Sequence, residues 1–197
     1  MKKGIICIGV TTLLLLGIVS QTSAETISNQ TIESIHGRTS IRSYSNKTIA
    51  EETLITLVKA GMAAPSGMNK QPWEFIVIQD RATLDKLQEQ TGKYMLAEAQ
   101  AAIVVAGHSN KEMGGSTYWV EDCSAATQNI LLAAHSLGLG AVWTGVYPYP
   151  KAMNAVSQIL GIPNGITPLC LIPIGYPKKQ QTPKQKYKKE KLHMNKW

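Results

Sequence analysis

The sequence predicts one domain of mixed helix and strand. Three observations carry that reading. Short apolar runs at 73–78, 102–106 and 167–174 read as strands. Stretches with apolar residues at helical spacing separate them, the longest at 119–137. The chain has 197 residues, 44% of them hydrophobic, with no internal repeat and no linker, enough for one sizeable core.

The N-terminus reads as a targeting segment. Lys2 and Lys3 precede an uncharged apolar run, Ile5 to Val19, and Thr22-Ser23-Ala24 supplies small residues for cleavage. That is the architecture of a secretory signal peptide over 1–24, with an uncleaved N-terminal anchor as the alternative. The domain is expected over 25–197. Three cysteines cannot build a disulfide framework, and Cys7 lies inside the apolar run.

Residues 25–36 read as a short helix. Arg38-Thr39-Ser40-Ile41-Arg42-Ser43-Tyr44 follows. On one helical turn or a tight loop, Arg38, Ser40 and Arg42 can converge on a small anion. Guanidinium forks match phosphate oxygens in pairs, and a serine hydroxyl adds a third bond. Alone, such a run also fits a solvated basic surface.

Thr48-Ile49-Ala50-Glu51 has the capping-box pattern, and Leu54, Leu57, Val58 and Met62 continue as a helix ending before Pro65. Residues 65–72 form a loop rich in small hydrogen-bonding groups. Trp73 to Ile78 reads as a strand, and its nearly continuous apolar residues Phe75, Ile76, Val77 and Ile78 fit one buried on both faces. Asp80 can cap a helix carrying Leu84 and Leu87. A further helical stretch is expected at 95–100, then the strand at 102–106. Residues 107–118 are polar, contain Gly114-Gly115 and make a candidate pocket edge.

Trp119 to Leu137 is apolar on most sides and alanine-rich, which suits a domain centre or a subunit interface. Gly138 stops it. Gly138-Leu139-Gly140 lacks the third glycine of a dinucleotide fingerprint and runs from helix to strand, the reverse order. Ala141-Val142-Trp143 reads as a strand reaching Thr144-Gly145. Pro150 opens a helix through Leu160, and Thr167 to Ile174 is the last strand.

The net charge of +7 belongs to the tail. Residues 178–197 hold eight lysines against one acid, Glu190, while residues 1–177 hold twelve basic and twelve acidic side chains. The basic face of a nucleic-acid binder is therefore not expected on the body. The tail fits a solvated run, a nonspecific polyanion binder, or a strap that lays cations on a bound phosphate. Hydrolase, zinc and Walker motifs are absent. His36, His108, His135 and His193 are scattered singly, and Cys123 and Cys170 read as buried, inert thiols. What remains are parts for holding a cofactor that carries the chemistry itself.

On these residues the chain resembles the nitroreductase family of FMN-dependent oxidoreductases. The carriers are Arg38-x-Ser40-x-Arg42-x-Tyr44, Ala64-Pro65-Ser66-Gly67-x-Asn69-x-Gln71-Pro72-Trp73, and Asp122-x-Ser124-x-Ala126-x-Gln128-Asn129 continuing to Ala134. Leu137-Gly138-Leu139-Gly140 and Gly175-Tyr176-Pro177 complete them, and the resemblance spans about 32–197. It implies an α+β fold, with a mixed, mainly antiparallel sheet flanked by helices. It also implies an intertwined homodimer whose C-terminal segments cross between subunits.

The resemblance assigns Arg38, Ser40 and Arg42, with Thr39 between them, to the FMN phosphate and ribityl chain. Pro65, Ser66, Gly67 and Asn69, with Gln71 a weaker match, would lie against the flavin of the partner subunit. Thr144 and Gly145 would present a backbone N–H to flavin N5 and O4. A basic residue of the tail, Lys186 or next Lys184, would close over the phosphate where relatives commonly carry arginine. NADH or NADPH is the implied hydride donor, and nitroaromatics or quinones are the implied acceptors, served in turn. No side-chain acid or base and no metal is expected.

Two departures stand out. A secretory signal would place the enzyme where nicotinamide cofactors are scarce, which leaves a different donor or an anchored domain open. The short segment 107–118 would leave an open pocket with broad acceptor use. The alternatives are a flavin-binding envelope protein without turnover, and a flavin-dependent reductase or dehalogenase with a non-nicotinamide donor.

Overall fold

The computed structural model describes residues 28–109 and 115–197. The expected signal segment lies outside the described residues, as does Gly114. A five-stranded antiparallel sheet runs β1–β2–β5–β3 (Trp73–Ile78, Ala101–His108, Ile166–Gly175, Gly140–Ala141), and β4 (Thr144–Gly145) also pairs with β5. The helices are α1 (Gln30–Gly37), α2 (Glu51–Met62), α3 (Arg81–Thr91), α4 (Trp119–Ser136) and α5 (Pro150–Leu160). The α+β fold with a mainly antiparallel sheet is therefore the observed one.

Strand alternation sorts the core into two layers. From β2, Ile103 and Val105 face α2 and α4, packing with Leu54, Leu57 and Ile130, while Ala102 and Val104 join Leu84, Leu87 and Val156 of α3 and α5 on the other side. Each fully buried Leu or Ile contributes about 1.5–3 kcal/mol, so β2 and β5, buried almost throughout, anchor the domain.

Several local expectations change. β1 is an edge strand, paired to β2, with Val77 40% exposed, so it is not buried on both faces. The capping box does not form: α2 starts at Glu51 with Ala50 as its N-cap, which leaves Thr48 too early to reach a free amide. α1 starts at Gln30, where the Asn29 side chain accepts from the Ile32 amide at 3.0 Å. The helix expected at 95–100 is one 3-10 turn, Tyr94–Ala97. Its continuation is pre-empted, because the Arg81 guanidinium takes the Leu96 and Ala99 carbonyls at 2.7 and 3.0 Å, and the Gln100 amide already pairs with Ile174. The strand at 141–143 breaks into β3 and β4, with Val142 and Trp143 between them.

A third, smaller cluster of Ile41, Tyr44, Met95, Ala99 and Val142 attaches the arginine motif to the sheet. Its seat is a glycine pair. Gly140 and Gly175 are cross-strand partners. A Cβ at Gly140 would lie 2.6 Å from Ile41, and one at Gly175 would lie 2.6 Å from Tyr44. Gly140 thus serves packing, since only glycine lets the motif come this close, while Gly138, at a φ of 72°, ends α4.

Candidate functional site

The arginine motif is extended, not helical. Ser40 bridges Ala141 of β3 in parallel, and Tyr44 bridges Pro177 in antiparallel fashion. The Ile41 amide donates to Ala141 and the Ser45 amide to Tyr176, at 3.1 and 2.8 Å. Arg38, Ser40 and Arg42, with Thr39 beside them, reach one cavity from this extended segment and not from a helical turn. Ile41 and Tyr44 are the buried anchors. The Tyr44 hydroxyl donates toward the Ile41 and Pro173 carbonyls at 2.7 and 3.1 Å, and burial pushes its phenol well above the ordinary tyrosine range.

Beyond Pro177 the tail runs exposed, with one short turn at Lys189–Lys191, and folds back over the motif. Arg38, Thr39, Ser40 and Arg42 from one end of the chain and Gln181, Thr182, Lys184 and Lys186 from the other line one cavity of about 230 Å³. Four cations, hydroxyls and an amide surround it, and no acid lines it. No ion pair among the described residues engages those cations. This donor set fits a phosphate dianion, and both candidate lysines reach it.

The structure keeps the other predicted residues out of this cavity. Pro65, Ser66, Gly67, Asn69 and Gln71 belong to a separate tight loop. Met68, Asn69 and Gln71 all take left-handed backbone angles, with φ of 52°, 54° and 48°. The Ser66 hydroxyl accepts from the Gln71 amide at 2.9 Å, and Gln71 Nε2 donates to Asn69 Oδ1 at 3.0 Å. The loop is tied down by Asp122 of α4, 5% exposed, whose carboxylate accepts from the Gly67 amide at 2.8 Å and from the Ser116 hydroxyl at 3.2 Å. Thr144 and Gly145 form a third place on β4. The Thr144 hydroxyl donates to the Leu171 carbonyl at 2.6 Å, and Lys93 Nζ donates to the Gly145 carbonyl at 2.9 Å. Burial holds the Lys93 ammonium below the ordinary lysine range.

Asp122, Lys93 and Glu98 carry positioning contacts that the sequence reading did not assign. Asp122 was visible only as a motif letter. Nothing in local spacing marks Lys93 or Glu98, whose partners lie about 50 to 80 residues away. Cys123 and Cys170 are free and buried, and burial pushes each thiol up to about 12, so both are inert.

Comparison with known proteins agrees with this geometry. The model of the nitroreductase family matches residues 35–113 and 90–176. A protein of Archaeoglobus fulgidus with the provisional name NADH dehydrogenase/NAD(P)H nitroreductase is 43% identical over 170 residues, covering 84% of this chain and 98% of its own. A crystal structure from Bacteroides thetaiotaomicron with the same provisional name superposes with a TM-score of 0.83 at 46% identity, covering 87% of this chain and all of that one. A provisional nitroreductase from Desulfovibrio desulfuricans, solved in complex with FMN, superposes with a TM-score of 0.73 at 29% identity, covering 87% and 99%. With its sheet, its arginine motif and its glycine seat, the chain belongs to the nitroreductase family.

Proposed function

We propose that the protein is an FMN-dependent oxidoreductase that draws on NADH or NADPH and delivers to nitroaromatic, quinone or similar acceptors, one after the other at the same site. The observation that carries this is one cavity, lined by no acid, into which the arginine motif and the lysine tail bring four cations and a serine. Arg38, Ser40 and Arg42 hold the phosphate, with Thr39 beside them, and Lys184 and Lys186 close over it. The bound FMN would supply the redox chemistry, accepting a hydride and passing it on. The Thr144 hydroxyl bond to Leu171 and the Lys93 bond to the Gly145 carbonyl brace the chain on either side of the Gly145 N–H, so that it can meet the flavin edge without reorganisation. No side chain of the site has to give or take a proton.

The function is read as belonging to a homodimer. The loop at 65–71 lies apart from the phosphate cavity of its own chain, which agrees with service to a partner's flavin. The groove between α1 and α4, with half-exposed Ile35 beside Leu132 and Ala133, spans about 600 Å³ and fits a second copy. Export through residues 1–24 is part of the proposal, with an N-terminal anchor as the alternative; mass spectrometry of the mature N-terminus decides it. Among the described residues no helix is long and apolar enough to cross a membrane.

The test of function is a visible spectrum of the purified protein before and after anaerobic NADPH. A flavin band that bleaches supports the proposal. A band that persists means a flavin protein with another electron source, and no band after added FMN sinks the reading.

A further inference from the structure

We propose that Glu98 is the positioning residue of the phosphate cradle: one carboxylate latches the arginine motif and the lysine strap to each other. It rests on the FMN reading of the cavity. Glu98 Oε2 accepts from the Ser43 hydroxyl and from the Tyr44 amide, each at 3.0 Å. Glu98 Oε1 accepts from Lys178 Nζ at 2.5 Å. Ser43 directly follows Arg42, and Lys178 is the first residue of the strap that carries Lys184 and Lys186. The two jaws of the cavity are 55 and 80 residues from Glu98 in sequence, and they meet on it.

The latch stands on a rigid mount. Arg81 holds the carbonyls of Leu96 and Ala99, which bracket Glu98, and the Gln100 amide pairs with Ile174 next to the strap root. Glu98 does not line the cavity. It therefore acts through the residues it holds and does not touch the phosphate.

Charge and positioning make opposite predictions, and this gives the test. Replacing Glu98 by Gln removes a negative charge beside a site for an anion, so charge alone tightens phosphate binding. If Glu98 positions the cradle, Glu98→Gln loosens it. The full chain, freed of flavin, is titrated with FMN, with riboflavin and with inorganic phosphate. The expected result is an FMN affinity lowered about five- to tenfold, the loss of one or two charge-assisted bonds, with riboflavin changed less than about twofold, since it has no phosphate to hold. Lys178→Met, at an exposed lysine, is expected to lower FMN affinity about threefold, and the double variant to fall no further than Glu98→Gln alone. Unchanged or tighter FMN binding by Glu98→Gln overturns the inference, as does an equal loss for FMN and riboflavin. Should Glu98→Gln not fold, FMN binding by Lys178→Met equal to that of the wild type overturns it. A wild type that binds neither flavin defeats the FMN reading but not the latch, which then stands or falls on whether Glu98→Gln weakens inorganic phosphate.

Discussion

The cradle at residues 38–44 and the loop at 65–71 solve the same task by opposite means. In the proposed function both hold polar groups in place for the flavin. The cradle does so with charge: its backbone is relaxed and extended, its anchors Ile41 and Tyr44 are buried, and half its cations sit on an exposed strap. The loop does so with strain. Three non-glycine residues stand in the left-handed region, at a cost of about 1–2 kcal/mol each, offset by side-chain bonds and the buried Asp122 carboxylate. The cradle should thus tolerate many surface changes and respond to salt, whereas the loop should tolerate few and ignore salt.

The most damaging way to break the cradle lies beneath it. Gly175→Ala would drive a Cβ to 2.6 Å from Tyr44. Overpacking on this buried seat should cost about 3 kcal/mol and remove phosphate holding with it. Thermal unfolding and FMN titration of this variant check both effects. Full stability would show that the motif does not need the glycine seat. The loop breaks from the other side: Asp122→Ala leaves the Gly67 amide without its acceptor, at about 2 kcal/mol for a bond to a charged group. Turnover should fall while the affinity of the flavin-free protein for inorganic phosphate stays put. Equal losses in both would mean that the two regions are not separable.

Arg38→Ala is the reciprocal experiment. It removes one fork from a site with three other cations, so FMN affinity should fall roughly tenfold, about 1.4 kcal/mol. Raising salt should narrow the gap between variant and wild type. Stability should hardly change, because Arg38 is not one of the buried anchors. A variant that unfolds would make Arg38 a structural residue.

The same contrast explains what the sequence could tell. Charge and spacing are local, so Arg38, Ser40, Arg42 and the lysine strap could be picked out directly, and the long apolar runs placed β2, β5 and α4 within a few residues. Their backbone conformation was harder to read. Arg-x-Ser-x-Arg serves a helical turn and an extended segment equally well, and only the bridges to Ala141 and Pro177 decide. β1 is apolar enough for a central strand, but burial depends on neighbours the segment does not encode. The capping box failed because α2 starts at Glu51, and a box needs its threonine next to the helix. Asp122 and Glu98 were invisible as positioning residues, since a carboxylate acquires that role only from partners brought by the fold. The left-handed residues of the loop carry no glycine to announce them.

The smallest expected effect tests whether the cradle's latch is electrostatic. Its three donors, Lys178 foremost, then the Tyr44 amide and the Ser43 hydroxyl, hold the Glu98 carboxyl down at about 2, below the ordinary glutamate value of 4.5. A carboxyl depressed on folding stabilises the native state above its unfolded value and loses that contribution as pH falls toward the folded one. The Tyr44 phenol, pushed up by burial, stays neutral throughout this range, so the change in the latch is that of the Glu98 carboxyl. The difference in thermal midpoint between wild type and Glu98→Gln should be constant above about pH 5, shrink from about pH 4.5 downward and vanish near pH 2. The latch is exposed to solvent, so the difference should be small and should fall with added salt. A gap that persists unchanged to pH 2 would mean that Glu98 works by shape and hydrogen-bond geometry, with its charge incidental. The cradle would then hold its phosphate by the same kind of rigid backbone bracing as the loop.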